Sequence, residues 1–130
     1  MLDAERLGKI RVFESLTIAE RNMLARILDE FSVPQGATIV EQGDFGYEFM
    51  VIEDGTVEVF VDGTPTDEMG PGDFFGELAV LADGAQRNAT IVATSPLRGF
   101  KLTARDMRTV RERMPKIGEQ IDRVIAARTH

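Results

Sequence analysis

One arginine stands alone in the middle of the sequence and is the side chain there best suited to bind an anion. Residues 27–86 contain 14 aspartates and glutamates and no lysine, arginine or histidine, and Arg87 follows them directly. A guanidinium offers paired, planar N–H donors that match the oxygens of a phosphate. Just upstream, Gly76 permits a tight turn, and residues 77–81 would form a helical turn whose first N–H groups are free for an anion. The sequence therefore predicts an anion site between Gly76 and Arg87.

The other residues of this segment have different predicted roles. An ionised Glu77 can only accept hydrogen bonds, so it would bind a sugar hydroxyl rather than the anion. The plainer alternatives are that Glu77 is a first-turn glutamate favoured by the helix dipole and that Arg87 is an ordinary surface arginine. The isolation of Arg87 after 60 residues without a base favours the phosphate ligand. Asp73 is predicted to be a turn residue, and Phe74 and Phe75 core or strand residues.

The composition excludes several kinds of catalytic and metal site. The 130 residues include no cysteine, and the single histidine is His130. The sequence therefore provides no thiolate zinc site, iron–sulfur cluster, cysteine nucleophile or Ser-His-Asp triad. An enzyme of the cupin type has a jelly-roll outline but needs clustered histidine and carboxylate ligands. We expect a protein that is not an enzyme and that holds no metal and no cofactor.

The charge distribution bears on the partners. With 22 aspartates and glutamates against 15 lysines and arginines, the formal net charge is −7. An acidic surface repels nucleic acid and anionic lipid, so no direct nucleic-acid binding is expected. The apolar runs are short and interrupted by charges, so we predict no membrane insertion and no signal peptide. These features predict a cytoplasmic protein.

The apolar pattern predicts the helices and strands that position this segment. Apolar residues recur at helical spacing over 12–31, where Thr17 and Glu20 would form a capping box, which predicts a helix of about 12 residues. Between 31 and 101, short β-rich runs alternate with Gly-, Pro- and Asp-containing turns every 7 to 12 residues, as in a jelly roll or barrel. The predicted strands are 38–40, 48–52, 56–61, 66–69, 90–93 and 97–101.

Two helices are predicted after the last strand. Thr103 and Asp106 would open the first, which runs to about residue 113, and Pro115 would separate it from a final helix over about 116–128. On the final helix four apolar residues share one face: Ile117, Ile121, Val124 and Ile125. This face could pack on the domain itself, pair with a second copy in a homodimer, or cover a bound base.

The segment from Phe75 to Thr90 resembles the phosphate-binding cassette of the cyclic nucleotide-binding domain family. The matching letters are Phe-Gly-Glu-Leu-Ala-Val-Leu over 75–81 and Arg-Asn-Ala-Thr over 87–90. The glycine turns between residues 34 and 74 are similar to those of the family's β-roll in order and spacing. The resemblance extends over about residues 10–113. A joint match of this length is specific, whereas Gly-Glu-Leu alone would be weak.

The resemblance implies a role for individual residues. Glu77 would accept a hydrogen bond from the ribose 2′-OH, and Arg87 would pair with the cyclic phosphate. Backbone amides would complete the phosphate cradle near Gly76, Leu78, Ala79 and Ala89. The residues that would line the base pocket are Val59, Thr66 and Met69, joined by Val124 where the last helix covers the base.

Two positions depart from the commonest family pattern. Gln86 stands where many members have proline, although the branch that includes the catabolite activator also lacks it. Asn88, itself counted among the predicted ligand residues, stands where the family often has Ala, Ser or Thr, a position that bears on the choice between cAMP and cGMP. The threonine often linked to cGMP is missing there, so cAMP is the predicted ligand and cGMP the alternative.

Together these features predict one α+β domain over residues 1–130. An N-terminal helical segment (1–30) would precede an antiparallel β-roll or jelly roll of about eight strands (31–102), with the cassette at 75–90 carrying a short helix. Hinge and lid helices would follow over 103–130. The predicted function is a sensor in which ligand binding moves these helices and regulates a separate effector protein. The alternative is a degenerate family member that acts as a ligand-independent interaction or dimerisation module.

Overall fold

A computed structural model of the protein describes residues 2–44, 48–76 and 88–128, with the backbone alone over 124–128. The N-terminal part contains helix α1 (Ala4–Gly8), a 3-10 helix (Arg11–Phe13) and helix α2 (Ile18–Ile27). The predicted capping box is confirmed, because the Thr17 hydroxyl accepts from the Glu20 N–H and the Glu20 carboxylate accepts from the Thr17 N–H. Helix α1 was not predicted, since its five residues are too few to show a helical period.

The strands form two antiparallel four-stranded sheets within the described residues, which confirms the predicted α+β β-roll. The strands are β1 (Asp29–Val33), β2 (Thr38–Val40), β3 (Glu48–Asp54), β4 (Val57–Val61), β5 (Thr64–Met69), β6 (Phe74–Phe75), β7 (Thr90–Ala93) and β8 (Leu97–Thr103). Their order is β1-β8-β3-β6 in one sheet and β2-β7-β4-β5 in the other. Strand β1 was missed because its first residues, Asp29 and Glu30, are acidic and Phe31 fits the helical pattern of 12–31.

Two hydrophobic clusters lie on opposite faces of the first sheet. The helix-side core joins the N- and C-terminal helices to Phe49, Val51 and Phe74 of the sheet. The inter-sheet core lies between the two sheets and includes Met50 and Ile52. Successive residues of a strand point to opposite faces, so the apolar run of β3 serves both cores in turn.

Helices α3 (Ala104–Arg113) and α4 (Pro115–Arg128) follow β8 directly. The predicted opening of α3 is confirmed, since the Thr103 hydroxyl accepts from the Asp106 N–H. On α4, Ile117 and Ile121 are each 1% exposed within the helix-side core. The apolar face of α4 therefore packs on its own domain at these two positions, and the side chain of Val124 lies outside the described residues.

Arg6 fastens α1 to the first sheet. Its Nε and Nη2 donate to the two carboxylate oxygens of Glu53, at 3.1 and 2.8 Å, and Nη2 lies 2.7 Å from Glu30 Oε1. Its guanidinium carbon also lies 5.4 Å from the centre of the Phe100 ring. The hydrogen bonds to Glu53 and then Glu30 raise the pKa of Arg6 above its ordinary value. In the part of the chain that the structure describes, no helix has the length and apolar content needed to cross a membrane.

Candidate functional site

The described residues frame the predicted cassette on both sides. Gly76, near the start of the cassette, is the last residue described there and has a φ of +87°, in the left-handed region that favours glycine. Asn88 and Ala89, near the end of the cassette, are the next residues described, and Asn88 is exposed while Ala89 is half-buried. The predicted ligand residues between them lie outside the described residues, so their roles stay predictions: Glu77, Leu78, Ala79 and Arg87.

Strand β6 leads into Gly76. Because it is short, the burial of its side chains holds it in place more than its backbone pairing does. It has only two residues, with Phe74 opposite Val51 and Phe75 opposite Met50 of β3. The side chain of Phe74 enters the helix-side core at 3% exposure, and that of Phe75 enters the inter-sheet core at 2%. The core role predicted for these two phenylalanines is confirmed. The chain before Gly76 is therefore anchored on both faces of the sheet.

The turn from Gly70 to Asp73 precedes β6 and is closed by hydrogen bonds. The Asp73 N–H donates to the Gly70 carbonyl at 3.0 Å, and the Gly70 N–H donates back to Asp73 Oδ2 at 2.9 Å. The Ile52 N–H donates to the Asp73 carbonyl at 2.9 Å, which fastens the turn to the end of β3. Asp73 is thus the turn residue that the sequence predicted.

On the other side of the cassette, strand β7 is clamped between β2 and β4. Ile91 lies opposite Val59 of β4 and opposite Val40 of β2. The Thr90 hydroxyl accepts from the Gln42 N–H at 3.0 Å, which ties the first residue of β7 to the chain after β2. Asn88 and Ala89 therefore lead into a strand whose position is defined by both neighbours.

Three of the residues predicted near a ligand lie in one cluster. Val59, 8% exposed, belongs to the inter-sheet core, and Met69 and Ala89 pack against the same core. Thr66 is exposed and interrupts the register between β4 and β5, and its hydroxyl donates to the Val59 carbonyl at 3.3 Å. The structure thus places Val59, Met69 and Ala89 in or against the same core as Phe75. Thr66 instead bonds within its own hairpin. The base-pocket assignment of these residues stays a prediction.

One contact near the site had no signal in the sequence. Arg11, on the 3-10 helix, donates from Nη2 to Asp73 Oδ1 at 3.2 Å across 62 residues of chain. Its sequence neighbourhood is an ordinary mixture of charges. Within the described residues, no three side chains of the metal-ligating kinds lie close enough together to hold a metal ion. Around the cassette, the described residues therefore supply apolar side chains, the hydrogen-bonded turn from Gly70 to Asp73 and the Arg11–Asp73 pair.

Comparison with known proteins points to one family. The family model described as "Cyclic nucleotide-binding domain" matches residues 30–114. A cAMP-dependent protein kinase regulatory subunit of Colletotrichum orbiculare is 38% identical over 94 residues, which is 71% of this chain and 24% of that protein. The chain thus spans about a quarter of the length of the curated relatives it matches.

Solved structures share the fold over most of the chain. A cAMP-bound structure of PfPKA-R matches with a TM-score of 0.85 and 25% identity, over 95% of this chain and 43% of that one. The catabolite activator protein of Thermus thermophilus matches with a TM-score of 0.81 and 27% identity, over 91% of this chain and 57% of that one.

Proposed function

Because the chain belongs to the cyclic nucleotide-binding domain family, to whose model residues 30–114 match, we propose that it is a regulatory module without catalytic activity. In this proposal it binds a cyclic nucleotide, cAMP in preference to cGMP, inside the β-roll. Arg87 and the backbone amides of Gly76, Leu78, Ala79 and Ala89 hold the phosphate, and Glu77 holds the ribose. Asn88 contributes to the choice of base.

The observation that carries this proposal is the position of Gly76 and Ala89. Gly76 leaves β6 in a backbone conformation that only glycine adopts without strain. Ala89 directly precedes β7 and packs against the inter-sheet core that also contains Val59 and Phe75. Gly76 therefore directly follows one residue of this cluster, Phe75, and Ala89 packs against the same cluster. Ligand pockets are lined mainly by apolar side chains with a few polar groups, so the proposal places the ligand beside this cluster.

The two cores suggest how binding would reach the C-terminal helices. Phe75 lies in the inter-sheet core on the ligand side, and its neighbour Phe74 lies in the helix-side core with Ile117 and Ile121 of α4. A shift of β6 on ligand binding would therefore repack both cores. The ligand can favour a new position of α4 only by binding that arrangement more tightly.

A separate effector protein completes the proposal. The chain resembles proteins named as regulatory subunits of a protein kinase, so a protein kinase catalytic chain is the first class of effector to test. The cytoplasmic location, the lack of nucleic-acid binding, a homodimer through α4 and the division of residues 1–130 into one domain stay predictions.

Calorimetric titration tests the ligand. We expect saturable heat with cAMP and weaker binding of cGMP, with AMP as the control that lacks the cyclic phosphate. Arg87→Ala should weaken cAMP binding about 10- to 150-fold, the equivalent of about 1.5–3 kcal/mol for a charge-assisted hydrogen bond. Arg98→Ala is the matched control, because Arg98 is an exposed arginine with no predicted ligand role. Its partner Asp54 is the last residue of β3. Absence of heat with both cyclic nucleotides at submillimolar concentration would favour the ligand-independent interaction module.

A distance measurement tests the movement of α4. The chain has no cysteine, so Glu68→Cys on β5 and Glu119→Cys on α4, both exposed positions, can be labelled as a unique pair. Saturating cAMP should change the distance between the two labels. An unchanged distance in a protein that binds cAMP would separate binding from coupling and refute the coupling alone.

A further inference from the structure

We propose that Asp73 and Arg11 are positioning residues for ligand binding, which act by holding Gly76 in place. The inference rests on the proposed function, in which the Gly76 amide contacts the phosphate. It begins from the length of β6, because two paired residues cannot by themselves define the direction of the chain that follows. The buried side chains of Phe74 and Phe75 anchor the strand, and the preceding turn is a further support.

Asp73 uses both carboxylate oxygens to hold that turn. Oδ2 accepts the Gly70 N–H at 2.9 Å, and Oδ1 accepts Arg11 Nη2 at 3.2 Å. The Asp73 carbonyl accepts the Ile52 N–H at 2.9 Å, so the same residue is also fastened to β3. Asp73 therefore joins three parts of the molecule three residues before Gly76.

Arg11 reaches the turn from a rigid support. It belongs to the 3-10 helix, whose other residues Val12 and Phe13 are 4% and 0% exposed in the helix-side core. Its guanidinium lies over Gly72, where an added Cβ would be 3.3 Å from Arg11 Nε. Gly72 also has a φ of +91°, so the turn has both the backbone conformation and the space that this approach requires.

The stability of the turn does not require that Arg11 and Asp73 be charged. The Gly70 N–H could be satisfied by the uncharged oxygen of an asparagine, and Arg11 is 72% exposed. An exposed ion pair of this kind contributes little to stability. Its contact with the segment that leads to Gly76 gives it a different effect, on the alignment of one phosphate donor. Misalignment of a donor weakens a charge-assisted hydrogen bond in the complex without unfolding the protein.

The test is a double-mutant cycle on cAMP affinity with Arg11→Gln, Asp73→Asn and the double variant. Each single variant should weaken cAMP binding about two- to fivefold. The double variant should bind cAMP no more weakly than the single variant with the lower affinity. Melting temperatures should stay near that of the wild type, and Arg11→Lys should restore part of the affinity. Arg98→Gln removes a similar exposed ion pair with Asp54 elsewhere and should leave the affinity unchanged.

The outcomes separate the two hypotheses. A wild-type protein that binds no cyclic nucleotide overturns the proposed function and this inference with it. A wild-type protein that binds cAMP while both single variants bind equally well overturns the positioning role alone. Additive losses, or losses that follow the melting temperature, would also overturn it, because they indicate independent or merely structural effects.

Discussion

Replacing Arg6 with methionine tests whether the N-terminal helix is held by this one side chain. Arg6 has 27% of its side chain exposed and Glu53 has 18%, so their two hydrogen bonds are partly withdrawn from water. Glu30, the second carboxylate, is 50% exposed. Methionine keeps an unbranched apolar stem of similar length against Phe100 and removes the charge. The substitution therefore isolates the polar contribution of Arg6.

The expected loss follows from these contacts. Hydrogen bonds to a charged group contribute about 1.5–3 kcal/mol when partly buried, and the exposed pair with Glu30 adds at most about 1 kcal/mol. We expect Arg6→Met to lower the free energy of unfolding by about 2–3 kcal/mol in total, since both carboxylates regain water when Arg6 is removed. With an unfolding entropy of about 2.1 cal/mol/K per residue and 130 residues, this predicts a fall in Tm of about 7–11 °C.

Thermal unfolding followed by circular dichroism measures this fall. The matched control is Arg98→Met, because Arg98 pairs with Asp54 at 3.4 Å with both side chains about two-thirds exposed. The control should lose no more than about 1 kcal/mol. If Arg6→Met and Arg98→Met lower Tm by the same small amount, the clamp between α1 and the first sheet is energetically unimportant and the reasoning fails.

Three further predictions concern packing and capping. Gly99→Ala should destabilise the protein by about 1–3 kcal/mol, because the new Cβ would overlap the Val51 carbonyl; Gly70→Ala, with its nearest neighbour at 3.9 Å, should cost far less in the same urea titration. Ile121→Ala should cost about 2–5 kcal/mol, and a cost below 1 kcal/mol would show that α4 does not pack as described. The Thr17 N–H holds the pKa of Glu20 below its ordinary value. Glu20 therefore stabilises the fold above its unfolded-state pKa, and the stability advantage of the wild type over Glu20→Gln should shrink as the pH falls through the acid range. An advantage that stays constant down to pH 3 would contradict that cause.

Local signals were read correctly from the sequence because they act over three or four residues. The Thr17–Glu20 box and the Thr103 cap each join residues three apart, and such bonds form wherever the chain turns into a helix. The strands 38–40 and 90–93 were predicted with their observed bounds. Strand β1 was missed because it lies at the edge of its sheet, where acidic residues are tolerated.

The candidate site also combines features that the sequence predicts with features that depend on the tertiary structure. The glycine at 76 and the small residue at 89 are visible in the sequence, since the cassette pattern is continuous along the chain. The placement of Val59, Met69 and Ala89 against one core depends on which strands pair, and strand pairing is a long-range property. The same is true of Arg11 and Asp73.

The helix caps follow from the sequence alone, because each joins residues three apart. The sequence also indicates the family and the β-roll, because short motifs and turns occur along the chain in a characteristic order and spacing. Other contacts depend on how the elements pack in three dimensions. Ile117 and Ile121 pack on their own domain, Arg6 joins Glu53 across 47 residues, and Arg11 reaches Asp73 across 62. Contacts over such separations form when the sheets and helices pack together. Their partners are chosen by geometry, which leaves no local pattern to read.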